Sequence, residues 1–128
     1  PFVAGLGRAQ EDRSWIYDPA FTVSRDLMDH KGVVFAKKGD RINPLEQISF
    51  GDPFIFIDGD DEEQVYWAIS QPGDIILTKG SPIQLGDQYN RTFYFDQGGS
   101  LTKKFSIKNV PAFVRQEDLV LVVEEVAL

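Results

Sequence analysis

The sequence predicts a mixed α/β fold: a sheet with flanking helices, preceded by a small β-rich unit. Three observations carry this. The runs at 53–57 (PFIFI) and 74–78 (DIILT) are continuously apolar and read as strands covered on both faces. Helix-start signals follow them, acidic residues at 60–63 and Ser81-Pro82. Near the end, VPAFV and LVLVVEEV flank Glu117-Asp118, the grammar of an antiparallel hairpin.

Taken in order, residues 1–13 mix Gly, Ala and charges without a period and are expected to form a poorly ordered lead-in or a short helix end. Residues 14–49 read as a small β-rich subdomain. SWIYDPAFTV sets Trp15, Ile16, Tyr17, Phe21 and Val23 around a turn at Pro19, and DHKGVVFAKKGDRI supplies turn residues and short strands. A unit of that size is too small to be stable alone. Residues 50–128 form the main domain. Its first strand, 53–57, leads into a helix on which Val65, Tyr66 and Ile69 recur at helical spacing, ended by Gln71-Pro72-Gly73. The strand 74–78 and a short helix capped by Ser81 follow. TFYF (92–95) is a third strand. DQGGSLTKKFSIKN then holds a short helix with Ser100 as cap and Leu101, Phe105 and Ile107 as its apolar side. VPAFV, opened by Pro111, and 119–126 complete an order β-α-β-α-β-α-β-β, in which alternation argues for a parallel sheet with an antiparallel edge.

Composition narrows the function classes. The 128 residues contain 13 Lys and Arg against 20 Asp and Glu, a formal net charge of −7. No basic stripe suited to phosphate is visible, so nucleic acid is not an expected partner, and an acidic surface is a poor match for anionic membranes. There is no cysteine and a single histidine, His30. Disulfides, thiolate nucleophiles and multi-histidine centres are therefore excluded within the chain. The apolar runs fall far short of the ~20 residues that cross a bilayer, and no signal peptide is recognisable.

Val110-Pro111, in FSIKNVPAFV, has the place of the proline that opens the fourth strand in thioredoxin-like folds, where that bond is usually cis. An ordinary trans proline opening an edge strand explains the dipeptide about as well. In thioredoxins the helix after the first long strand begins with two cysteines. Here FIFIDGDDEEQ places Asp58-Gly59-Asp60-Asp61 at that helix start, so carboxylates stand where thiols would be. From Arg13 to the C terminus, RSWIYDPAFTV, GVVFAKKGDRINPLEQISF, FIFIDGDDEEQVYWA, YFDQGGSLTKKFSIKNVPAFV and the closing VEEV resemble the TraW family of F-type conjugative transfer systems. The FDQGG.LT..F.I..VPA segment also resembles TrbC. The resemblance implies a periplasmic assembly protein of a type IV secretion system, not an enzyme, without cofactor. It would act in pilus assembly by binding proteins such as TrbC, without direct membrane insertion and with its signal peptide removed. Its thioredoxin-like domain would span residues 50–128 and lack the paired cysteines.

The same residues admit other readings. Asp58, Asp60 and Asp61 are weak candidates for a Ca²⁺ site that would stabilise a binding module, although the EF-hand spacing is absent. A solvated helix start explains them as well. The carboxylates of 58–63 could serve a hydrolase, but a run on one helix end does not place two carboxyls across a cleft. Asp96 with Gly98-Gly99 lacks the lysine of a phosphate loop and reads as a turn requiring glycine. Trp15 and Tyr17 are either interface anchors or packing between the small subdomain and the sheet; Trp67 suits packing. His30, in MDHKG, suits an exposed turn. The expected recognition face joins Pro111 to the acidic start at Asp58, Asp60 and Asp61, where an extended partner segment could pair with backbone.

Overall fold

The computed structural model describes residues 1–128. Six short strands come first along the chain: β1 (Gly7–Arg8), β2 (Arg13–Tyr17), β3 (Phe21–Thr22), β4 (Leu27–Met28), β5 (Val34–Ala36) and β6 (Arg41–Ile42). There follow β7 (Phe54–Asp58), α1 (Glu62–Ile69), β8 (Asp74–Lys79), α2 (Pro82–Tyr89) and β9 (Tyr94–Phe95). The chain closes with α3 (Ser100–Lys104), β10 (Asn109–Val110), β11 (Ala112–Glu117) and β12 (Val120–Glu125).

One six-stranded sheet organises the molecule, in the order β2-β12-β11-β7-β8-β9. β7, β8 and β9 run parallel, while β11, β12 and β2 are joined by antiparallel ladders. The four runs at 53–57, 74–78, 92–95 and 112–114 thus share one mixed sheet. The period-2 alternation of a strand explains why β7 and β8 read as solid apolar runs. Ile55, Ile57, Ile75 and Leu77 face one side, with Val65 and Ala68 of α1 and with Phe93. Phe56 and Ile76 face the other, with Phe105, Ile107, Val110, Ala112, Val114, Leu121 and Val123. Both faces are covered, so neither strand needs a polar alternate.

Local chemistry sets the helix ends. Asp61 caps α1, its carboxylate accepting from the backbone of Glu63 and Gln64, and Ser81 caps α2 ahead of Pro82. Along α1, Val65 is buried and Ile69 half-buried, whereas Tyr66 points outward and Gln64 takes a buried position. Ser100 does not cap α3. The buried Asp96 does that work, accepting from the backbone N–H groups of Leu101 (2.9 Å) and Thr102 (3.0 Å) and from the Thr102 hydroxyl (2.8 Å). A carboxylate accepts several donors at once, which a single hydroxyl cannot match. Gly98 and Gly99 both have positive φ, 64° and 70°, as the turn into that helix requires.

Two boundaries differ from the sequence grammar. The strand Arg13–Tyr17, grouped with the small β-rich unit by its sequence, is the edge of the main sheet, paired with β12 from Leu121↔Tyr17 to Glu125↔Arg13. What remains of 14–49 holds the ladders β3–β6 and β4–β5 and the turn Pro44–Glu46. Residues 1–13 are not a free lead-in either. Val3 donates to the Thr78 carbonyl (2.7 Å), Gly7 to Lys108 (3.0 Å) and Ala9 to Val110 (2.9 Å), and β1 lies parallel to β10. Two-residue ladders leave no periodic signature, so sequence pattern could not register them.

Glu125 is 1% exposed, yet its carboxylate accepts from the backbone of Lys108 (2.8 Å) and Asn109 (2.9 Å), from the Asn109 amide (3.3 Å) and from Arg13 (3.4 Å). No buried side-chain nitrogen or oxygen lacks a partner. Glu125→Gln keeps the shape but replaces one acceptor oxygen with a donor, leaving buried donors facing it. Equilibrium urea unfolding is expected to show a loss of about 1–3 kcal/mol; an unchanged midpoint would show that these bonds contribute nothing net.

Candidate protein-recognition face

The sequence FIDGDD builds a tight turn where β7 meets α1. Gln64 reaches back from α1, its side-chain oxygen accepting from the Asp58 N–H (2.9 Å) and its amide donating to Asp61 (3.1 Å). The Asp58 carboxylate accepts from the Asp60 N–H (2.8 Å). Gly59 donates to the Lys79 carbonyl (2.8 Å), and a Cβ there would come within 2.6 Å of that oxygen, so only glycine permits the approach. The turn therefore sits against the end of β8.

Opposite it lies the backbone leading to Pro111, held from below by Glu125. Between the two runs the N-terminal segment of the same chain. Val3, Leu6, Gly7 and Arg8 line a small cleft together with Asp58, Asp61 and Val110. Gly7 passes so close to Asn109 that a Cβ would stand 2.9 Å from the Asn109 Oδ1. Arg8 donates to Asp61 (2.8 Å) and is also bonded to Glu63. Two carboxylates at the positive end of α1 thus share one guanidinium, which matches their fork geometry.

The sequence-chosen residues divide accordingly. Asp58 and Asp61 meet at this cleft, and Val110 brings the backbone before Pro111 beside them. Asp60 is exposed at the turn. Pro111 itself is buried; its peptide bond with Val110 is cis, and its carbonyl accepts from the Val126 N–H (2.8 Å). The proline ring is therefore not offered at this face, where the backbone of 108–110 lies instead. Trp15 and Tyr17 lie elsewhere, half-buried over α3: the Trp15 indole donates to the Phe105 carbonyl (3.0 Å), and Tyr17 meets the Phe105 ring edge-on at 5.1 Å. Both are engaged in packing here, as is Trp67 against the α1 side of the core. Asp58, Asp60 and Asp61 belong to no group of three side chains arranged to hold a metal ion, since Asp58 turns to its own loop and Asp61 to α1 and Arg8.

Sequence reasoning missed Arg8, Gly7, Asn109 and Glu125. It also missed an apolar tip on the β4–β5 hairpin, where Met28 (59%), Val33 (60%) and Phe35 (67%) stand exposed. His30 is exposed in the same hairpin. No helix is long and apolar enough to cross a membrane.

The chain is similar to Protein TraW of Escherichia coli (strain K12), 37% identical over 119 residues, covering 89% of this chain and 57% of TraW. That similarity supports the TraW resemblance read from the sequence motifs. The chain spans a little over half the length of that curated relative. No family model matches the chain, and no solved structure does.

Two substitutions at the helix start should separate structure from surface charge. Asp61→Ala removes the α1 cap and is expected to cost about 1–2 kcal/mol in urea unfolding. Glu63→Ala touches only an exposed pair and should cost no more than about 1 kcal/mol. Equal losses would contradict the assignment of the cap to Asp61.

Proposed function

We propose that this chain is a TraW-family protein that acts as a periplasmic assembly component of an F-type conjugative type IV secretion system. It contributes to pilus formation by binding partner proteins, a TrbC-like protein among them. The similarity to TraW over 89% of the chain carries this reading. We also read the main domain as thioredoxin-like. In favour are the contiguous strands β8-β7-β11-β12, with β7 and β8 parallel across α1 and β11 entered antiparallel through Val110-Pro111.

The chain has no cysteine, so such a scaffold has no thiol chemistry here. What remains of a thioredoxin-like active face is its shape and its helix dipole, which suit the recognition of a segment by backbone pairing and charge. The protein is accordingly read as a binding component and not as an enzyme.

Deleting the coding sequence from the cells that carry it should abolish pili and reduce mating transfer to background, and the intact gene should restore both. The purified chain should co-purify with its TrbC-like partner after co-expression in the periplasm. Normal transfer in the deletion strain would overturn the proposal.

A further inference from the structure

The recognition face is already filled, by the chain itself. Residues 1–9 cross the ends of β8 and β10 as a strap with a turn at Ala4-Gly5. Backbone donors at Val3, Gly7 and Ala9 meet the carbonyls of Thr78, Lys108 and Val110, and Gly80 donates to the Pro1 carbonyl (3.2 Å). Gly7 passes close to the Asn109 side chain, where a larger residue would have to push it aside, and Val3 lies over Gly99. Arg8 fills the carboxylate pair of Asp61 and Glu63. These are the elements by which an extended peptide is recognised: a row of backbone acceptors, a position that favours a small residue, and a charged clamp.

The strap is nevertheless lightly held. Of residues 1–9 only Ala9 is buried, Val3 and Leu6 are half-covered, and the ladder with β10 has two residues. Its ion pairs are partly exposed, Arg8 at 40% and Glu63 at 61%, where such pairs contribute little. The seat beneath is firm by contrast. Thr78, Gln64 and Val110 are buried, and Lys108 and Asn109 are bonded to Glu125. A weakly bound segment on a rigid seat opens locally, without global unfolding.

We propose that the strap is an internal ligand, displaced by an extended partner segment of like chemistry: a small residue followed by an arginine, pairing with Asn109–Val110 and clamped by Asp61 and Glu63. The charge balance favours that partner, since the chain carries a net −7 while the clamp binds a cation. The proposal deepens the recognition reading above and rests on it for the claim that this face takes protein segments. Because the strap is tethered, its effective concentration at the seat is high, and a free segment must compete with it.

The test uses the full chain and a labelled peptide of residues 1–10 (PFVAGLGRAQ), without any conjugation protein, so a missing TrbC-like partner has no bearing on it. Arg8→Glu places a like charge against Asp61 and Glu63 and should release the strap. Fluorescence anisotropy should then show the peptide binding about tenfold or more tighter to Arg8→Glu than to the unaltered chain. Adding Asp61→Asn and Glu63→Gln, with asparagine still able to cap α1, should remove that gain. In the unaltered chain, the amides of Val3, Gly7 and Ala9 should exchange with solvent through local opening, well ahead of Phe56 and Val114. Strap amides as protected as those of the central strands would overturn the proposal whether or not the variant folds. So would equal peptide affinity in both proteins. A concentration-dependent dimer of Arg8→Glu that the peptide cannot dissociate would assign the seat to a second copy and overturn it as well.

Discussion

The buried carboxylate of Glu125 is the constraint on which the rest of this structure depends. It lies on β12, within the sheet, and gathers the backbone of Lys108 and Asn109 and the side chain of Arg13. Those contacts join three distant parts of the chain: the edge strand β2, the approach to Pro111, and the last strand. A buried carboxylate is tolerated only when its oxygens are well supplied with donors. Two of its four donors are backbone N–H groups, whose positions the fold then has to fix. The outcome is that the carbonyls of Lys108 and Val110 are held where they accept from Gly7 and Ala9.

The central part of the fold was legible because its signals are local. PFIFI and DIILT are apolar on both faces, and the helix starts at Asp61 and Ser81 obey capping rules that act within three residues. Where a signal depends on residues far apart in sequence, reading failed. Arg8 meets its carboxylate partners 53 and 55 residues away, and Glu125 meets Arg13 at a separation of 112. Nothing near Arg8 or Glu125 distinguishes either from an ordinary surface charge. Ser100 illustrates a subtler failure: it stands where a cap is expected, but Asp96 reaches the same amides from the preceding turn.

The candidate face was legible by half. FIDGDD and Val110-Pro111 were singled out, and Asp58, Asp61 and Val110 do line one cleft. The N-terminal segment lying in it was not foreseen, because Gly7 and Arg8 form a strand only by borrowing β10 as a template. Trp15 and Tyr17, the aromatic candidates, turn inward onto Phe105, while Met28, Val33, Val34 and Phe35 stand exposed close together in sequence on the β4–β5 hairpin. The molecule thus offers two chemically distinct surfaces, one built of backbone acceptors and carboxylates, the other apolar. Contiguous exposed apolar groups commonly mark protein contacts, so the hairpin is the natural competitor to the acidic cleft.

Isotope-labelled chain titrated with a purified TrbC-like protein, the partner proposed above, would discriminate between them most directly, by mapping which amide resonances respond. The account predicts the largest changes at Gly7, Arg8, Asn109 and Val110, with Glu63 and Gln64 following. Changes confined to 27–36, with the cleft and its strap undisturbed, would contradict it.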